Sequence, residues 1–141
     1  MHTDCHIGVV TRFAEALDTE DYDAATATLA PDCTYGIKGV EHAGASTIID
    51  TYRGNGDIAA TRFDAIEYGS KVRPGAEPWV IIGFLDVVTH RGRRHVHTCE
   101  QWCRVGDDGR IARIEHHDLP GEAEALAEFK HWAWGDEADD Q

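Results

Sequence analysis

Positive charge is scarce in this chain. Thirteen lysines and arginines stand against 26 aspartates and glutamates, giving a formal net charge of −13 over 141 residues. Nucleic acids and anionic membranes are bound through concentrated positive charge, so neither is expected as a partner. Long apolar runs are missing too: none approaches the ~18 residues that would suggest a membrane span. The cysteines are few and scattered, at Cys5, Cys33, Cys99 and Cys103, without the CxxC spacing of a redox motif or zinc ribbon. Asp4 and His6 precede only a short apolar stretch, so the charged–apolar–small layout of a signal peptide is absent. A reduced, cytoplasmic protein is the expectation. There is no GxSxG elbow, phosphate-cradling glycine loop or dinucleotide fingerprint. Ser46 and Ser70 lack a triad context, and neither repeats nor low-complexity linkers occur.

What remains is enough for one folded unit. A chain of this length buries roughly 68–70% of its unfolded surface and needs no staples. A single domain over residues 1–135 is expected, followed by an acidic tail, 136–141, read as disordered. Ile7, Val10, Phe13, Ala14 and Leu17 recur at helical spacing from Cys5 to Leu17. A second, short helix begins near Thr19–Asp21 and is stopped by Pro31. Thr34 to Ile37 reads as a strand. Ala43 to Tyr52 reads as a third helix, broken by Gly54-Asn55-Gly56.

Beyond that point the pattern becomes β. Phe63–Val72, Trp79–Thr89, His95–Val105 and Arg110–Asp118 read as four successive strands, and Glu122–Trp134 as a closing helix with Ala125, Leu126, Phe129 and Trp132 on one side. Val80-Ile81-Ile82 and Phe84-Leu85 are apolar on both strand faces, so helices cover one face and a second copy of the chain is expected on the other. Helices segregated from a strand meander give an α+β fold rather than a parallel α/β sheet.

With Val10 to Gly39 (a helix pair, then Pro31-Asp32-Cys33-Thr34-Tyr35-Gly36) and the hairpin from Cys103 through Gly109-Arg110-Ile111 to Asp118, the chain resembles the nuclear transport factor 2-like superfamily. That group includes ketosteroid isomerases, scytalone dehydratase, limonene epoxide hydrolase and SnoaL-type polyketide cyclases. The resemblance implies a cone-shaped, cystatin-like fold: N-terminal helices packed on a curved, mostly antiparallel sheet, with a C-terminal helix. It also implies a pocket for a small molecule inside the cone. Members often carry an acid in the last strand, at a position that falls here on His116.

The late hairpin predicts which side chains share that pocket. A type I turn at Asp107-Asp108 with Gly109 left-handed requires the unusual dihedral only where glycine sits. Gly106 then faces Arg110, and counting back by twos sets Trp102 opposite Ile114, Glu100 opposite His116 and Thr98 opposite Asp118. Gln101, Arg113, Glu115 and His117 are expected on the other face. In this register Glu100 orients His116, which serves as general acid or base.

Tyr35 is a candidate oxyanion donor, as in the ketosteroid isomerases that the chain resembles. Ile82, Phe84, Trp102 and Ile114 would wall the substrate, with Asp86, Asp118 and Tyr52 as further contacts. Tyr35, Tyr52 and Trp102 are also readable as core, and Glu100–His116 as a buried pair that satisfies itself. Asp86, set between Leu85 and Val87, needs a partner or water. The nine histidines invite a metal, but this register separates His97 from His116, so none is expected. The leading expectation is a cofactor-independent isomerase, cyclase, dehydratase or hydrolase acting on a small apolar or carbonyl-bearing molecule. The alternative is a binding or accessory domain of the same fold.

Overall fold

The computed structural model describes residues 4–135; the acidic tail read at 136–141 lies outside them. Helix α1 (Asp4–Asp18) buries Val9, Val10, Phe13, Ala14 and Ala16. Glu20 turns the chain with a positive φ of 56°. Asp21 then caps α2 (Tyr22–Ala27), its side chain accepting from the Ala24 N–H. Pro31 does not stop this helix, which ends at Ala27. It lies within strand β1 (Leu29–Ile37), in the stretch where pairing with a neighbouring strand slips register between Leu29 and Thr34.

Lys38 and Gly39, both at positive φ, form a two-residue turn into β2 (Val40–Ala43), a strand where the sequence pattern suggests only a connection. Helix α3 (Ala45–Arg62) runs on through Gly54 and Gly56 instead of breaking there. The second glycine serves packing: a Cβ at Gly56 would stand 3.0 Å from the Tyr22 hydroxyl.

Strands β3 (Ala65–Pro74), β4 (Trp79–His90), β5 (Arg93–Val105) and β6 (Ile111–Asp118) follow, and α4 (Glu122–Trp134) closes the chain. The sheet order is β2-β1-β6-β5-β4-β3, antiparallel throughout except for β1 beside β6. One sheet face packs against the helices. There Val80, Ile82, Cys103, Ile111 and Ile114 meet Val10, Phe13, Ile48 and Ile49. A second cluster of Phe63, Val88 and Phe129 anchors α4. The architecture is α+β, helices packed on a six-stranded mixed sheet. Among the described residues no helix is long and apolar enough to cross a membrane.

Candidate functional site

The turn at the end of β5 has the form expected from Gly109. Gly109 is left-handed at φ 78°, and the Gly106 N–H donates to the Arg110 carbonyl at 2.8 Å. The register beyond it is different. Val105 pairs with Ile111, but Arg104 pairs with Arg113, leaving Ala112 as an extra residue in β6. The cause is visible in the core. Ile111 and Ile114 are both fully buried on the helix side although three residues apart, which simple alternation cannot achieve. The bulge turns both inward and shifts every later pair by one.

The predicted Glu100–His116 pair is therefore not formed. Glu100 faces His117, and Gln101 faces His116. Glu100 lies on the outer face, where Arg73 bonds it at 2.7 Å and holds its carboxyl below the usual carboxylate range. Trp102, expected as a pocket wall, is also outside, tilted against Trp79 and against His117 with ring centroids 6.1 and 4.3 Å apart. Its partner is Glu115, not Ile114, and Cys99 rather than Thr98 faces Asp118. Arg113, Glu115 and His117 occupy the outer face as expected. Gln101 does not: it is only 4% exposed and points into the cone.

On the inner face the structure assembles a continuous polar chain. The Tyr52 hydroxyl of α3 donates to Gln101 Oε1 at 2.5 Å. Gln101 Nε2 donates to the Tyr35 hydroxyl of β1 at 3.0 Å and lies 3.3 Å from His116 Nδ1. His116 Nε2 lies 2.8 Å from Asp118 Oδ1. Tyr35 and Tyr52 stack with centroids 5.5 Å apart. Burial pushes the Tyr35 phenol up to about 12 and the Tyr52 phenol well above its ordinary value. Both are thus protonated donors at neutral pH. The His116 bond holds the Asp118 carboxyl below its ordinary value. The His116 side chain is 11% exposed and that of Asp118 37%, so the chain runs from a closed interior to an open rim.

Ile82 and Ile114 are buried beside this chain, and Phe84 is half-buried against the same core. Asp86 also belongs to the inner face, paired laterally with His97 on β5 and Tyr68 on β3. Burial, reinforced by the negative charge of Asp18, raises its carboxyl to about 6. The bulge also brings His97 onto the face of His116, contrary to the expected separation. Burial lowers the His97 imidazole. Among the described residues no group of three His, Cys, Asp or Glu side chains is placed to hold a metal ion. Two surface clefts of ≈ 440 and ≈ 400 Å³ lie along α2 and the first turns of α3, lined by Thr26, Ser46 and, in the larger, Arg110. Neither reaches the Tyr52–Asp118 chain.

Gln101 is the residue that sequence reasoning missed. The spacing of Ile111 and Ile114 carried the signal, since two large aliphatic residues three apart in a strand call for a bulge.

No family model and no curated protein sequence matches the chain. Solved structures do. A nuclear transport factor 2-like protein of unknown function from Exiguobacterium sp. 255-15 superposes with a TM-score of 0.59 at 14% identity, over 79% of this chain and 98% of that one. The chain has the nuclear transport factor 2-like fold. The same fold is matched in a candidate polyketide cyclase from Xanthomonas campestris pv. campestris, with TM-score 0.67 and 19% identity over 86% of this chain and 96% of that one. An LEH-like epoxide hydrolase from M. tuberculosis gives 0.63 at 21% identity, over 89% and 92%. At such identities a nuclear transport factor 2-like likeness speaks for architecture; chemistry has to be argued from the side chains.

Proposed function

We propose that this protein is a cofactor-independent enzyme that moves a proton on a small, largely apolar molecule bearing a carbonyl or hydroxyl group. The observation that carries the reading is His116, held between Asp118 at the rim and Gln101 in the interior. The role expected of Glu100 falls to Asp118. Its carboxylate orients the imidazole through Nε2 and favours the imidazolium once formed. Nδ1 faces the interior and is the weakly engaged nitrogen, its contact with Gln101 being 3.3 Å long.

In the step envisaged, Nδ1 takes a proton from the carbon beside a carbonyl. The C–H electron pair moves into the carbonyl as an enolate, whose oxygen accepts a hydrogen bond from Tyr35 or Tyr52. Returning the proton to another carbon isomerises the substrate; expelling a β-hydroxyl or attacking a second carbonyl gives dehydration or ring closure. Ile82, Phe84 and Ile114 supply an apolar wall, and Asp86 a polar contact on the same face. The four cysteines are free, which fits a reducing cytoplasmic setting. Structural neighbours that include a candidate polyketide cyclase and an epoxide hydrolase accord with a small-molecule role.

The test works without the product being identified. Small ketones and hydroxyketones are incubated with the protein in deuterated water, and label at carbons beside the carbonyl is followed by NMR. Wild type is expected to catalyse exchange for some member of the panel, and His116→Gln to lose roughly 10²–10⁴-fold. Compounds that bind without exchanging in wild type would instead indicate a non-catalytic binding domain.

A further inference from the structure

His116, Gln101, Tyr35 and Tyr52 form a set of hydrogen-bonding groups whose directions are not independent. The Asp118 carboxylate only accepts, so His116 Nε2 carries a proton and, in the neutral ring, Nδ1 carries a lone pair. Gln101 must then present Nε2–H to Nδ1, and its Oε1 to the Tyr52 hydroxyl. The other amide N–H goes to Tyr35, whose ring stacks on that of Tyr52. The links from Tyr52 to Gln101, and from Gln101 to Tyr35 and His116, all run in one direction.

A proton gained at Nδ1 upsets this arrangement. The ring then presents N–H to an amide N–H, two donors 3.3 Å apart around a side chain only 4% exposed. A half-turn about the last torsion of Gln101 removes the conflict, exchanging Oε1 and Nε2 in place. Oε1 then accepts from Nδ1–H and from Tyr35, while Nε2–H donates to Tyr52. Hydroxyls both donate and accept, so both phenols reverse their roles, Tyr35 now donating to the amide and Tyr52 accepting from it.

We propose that Gln101 is the positioning residue of His116: its amide turns over as Nδ1 gains or loses a proton, with Tyr35 and Tyr52 reversing in step. This rests on reading His116 as the proton-carrying group of the site. The other charged or titratable groups that face the ring are Asp118 on β6, with Lys38 of the β1–β2 turn beside it, and His97 on β5, itself faced by Glu122 of α4. Among the described residues none of these bonds Nδ1; Gln101 does.

The experiment is a pH titration of the ¹⁵N-labelled full chain, following the His116 ring nitrogens and the Gln101 side-chain amide together. The amide resonances are expected to move with the midpoint of His116. Gln101→Glu, a fixed acceptor, should raise that midpoint by about one unit, a tenfold gain in proton affinity. Gln101→Met, with no acceptor, should lower it. An amide that stays unchanged through the His116 transition, or a Gln101→Met midpoint equal to wild type, overturns the proposal. The wild-type titration decides even if neither variant folds. If the amide follows the ring while no ketone exchanges deuterium, the relay stands and the enzymatic reading fails. If exchange depends on His116 while the amide stays unresponsive, the enzymatic reading stands and the relay fails.

Discussion

His116 Nε2 lies 2.8 Å from Asp118 Oδ1, between two side chains two residues apart on the same face of β6. The contact is local, yet it lies at the rim of the inner face only because the bulge at Ala112 turned the strand. A carboxylate so placed orients the imidazole and balances the charge it gains on taking a proton.

Asp118→Asn should retain the fold, because its carboxylate is 37% exposed at the sheet rim. Proton exchange should fall by about 10²-fold, as imidazolium formation loses its counter-charge. The Asp118 carboxyl is held low by His116, so the wild-type rate in acid should not be limited by protonation of Asp118. Rates measured from pH 4 to 9 beside a thermal melt of each protein test both statements.

Asp86 makes the opposite kind of prediction. Its carboxyl is raised from 3.8 to about 6, so the folded state holds this proton more tightly than the unfolded chain. The stability it contributes is fully present below pH 3.8 and is lost as pH rises through about 6. Asp86→Asn should therefore be more stable than wild type at pH 8, by roughly 3 kcal/mol. The difference should vanish near pH 4 (urea denaturation at the two pH values measures it).

The C-terminal helix is held by few large contacts. Phe129 is buried against Phe63 and Val88 and stacks on His95 at 5.1 Å. Phe129→Ala should cost about 3–5 kcal/mol in urea unfolding. Protection of α4 amides from hydrogen exchange should be lost before that of β4 and β5.

The outer sheet face leaves Leu85 and Val96 exposed at 40% and 38%, on the same face as the tilted Trp79–Trp102 pair. A second copy of the chain docked on this face is the proposed partner. Sedimentation equilibrium should give twice the mass of one chain for wild type and a monomer for Leu85→Lys/Val96→Lys.

How much of this could be read from the chain follows from the range of each signal. Helical periodicity and the flanking breakers set α1 and α4 within a residue or two, because those signals are local. Gly109 named its own turn for the same reason. The break assigned to Gly54-Asn55-Gly56 misread a glycine whose purpose is tertiary: Tyr22, from another helix, occupies the space a Cβ would need. The site failed at one residue. A strand reverses every face at a bulge, so an error of one at Ala112 sent Glu100 and Trp102 outward and brought Gln101 in. His116, Asp118, Tyr35, Tyr52 and Asp86 stayed legible as polar residues of the inner face. Which of them bond one another depends on cross-strand register, set by how Ile111 and Ile114 both reach the core.

The central claim is that proton transfer belongs to His116 on the inner face and not to Glu100 on the outer one. Solvent-deuterium incorporation into the ketone panel, measured side by side for wild type, His116→Gln and Glu100→Gln, tests it most directly. Exchange by wild type and Glu100→Gln alike, with loss of roughly 10²-fold or more in His116→Gln, is the predicted result. Exchange that survives in His116→Gln and disappears in Glu100→Gln would contradict it.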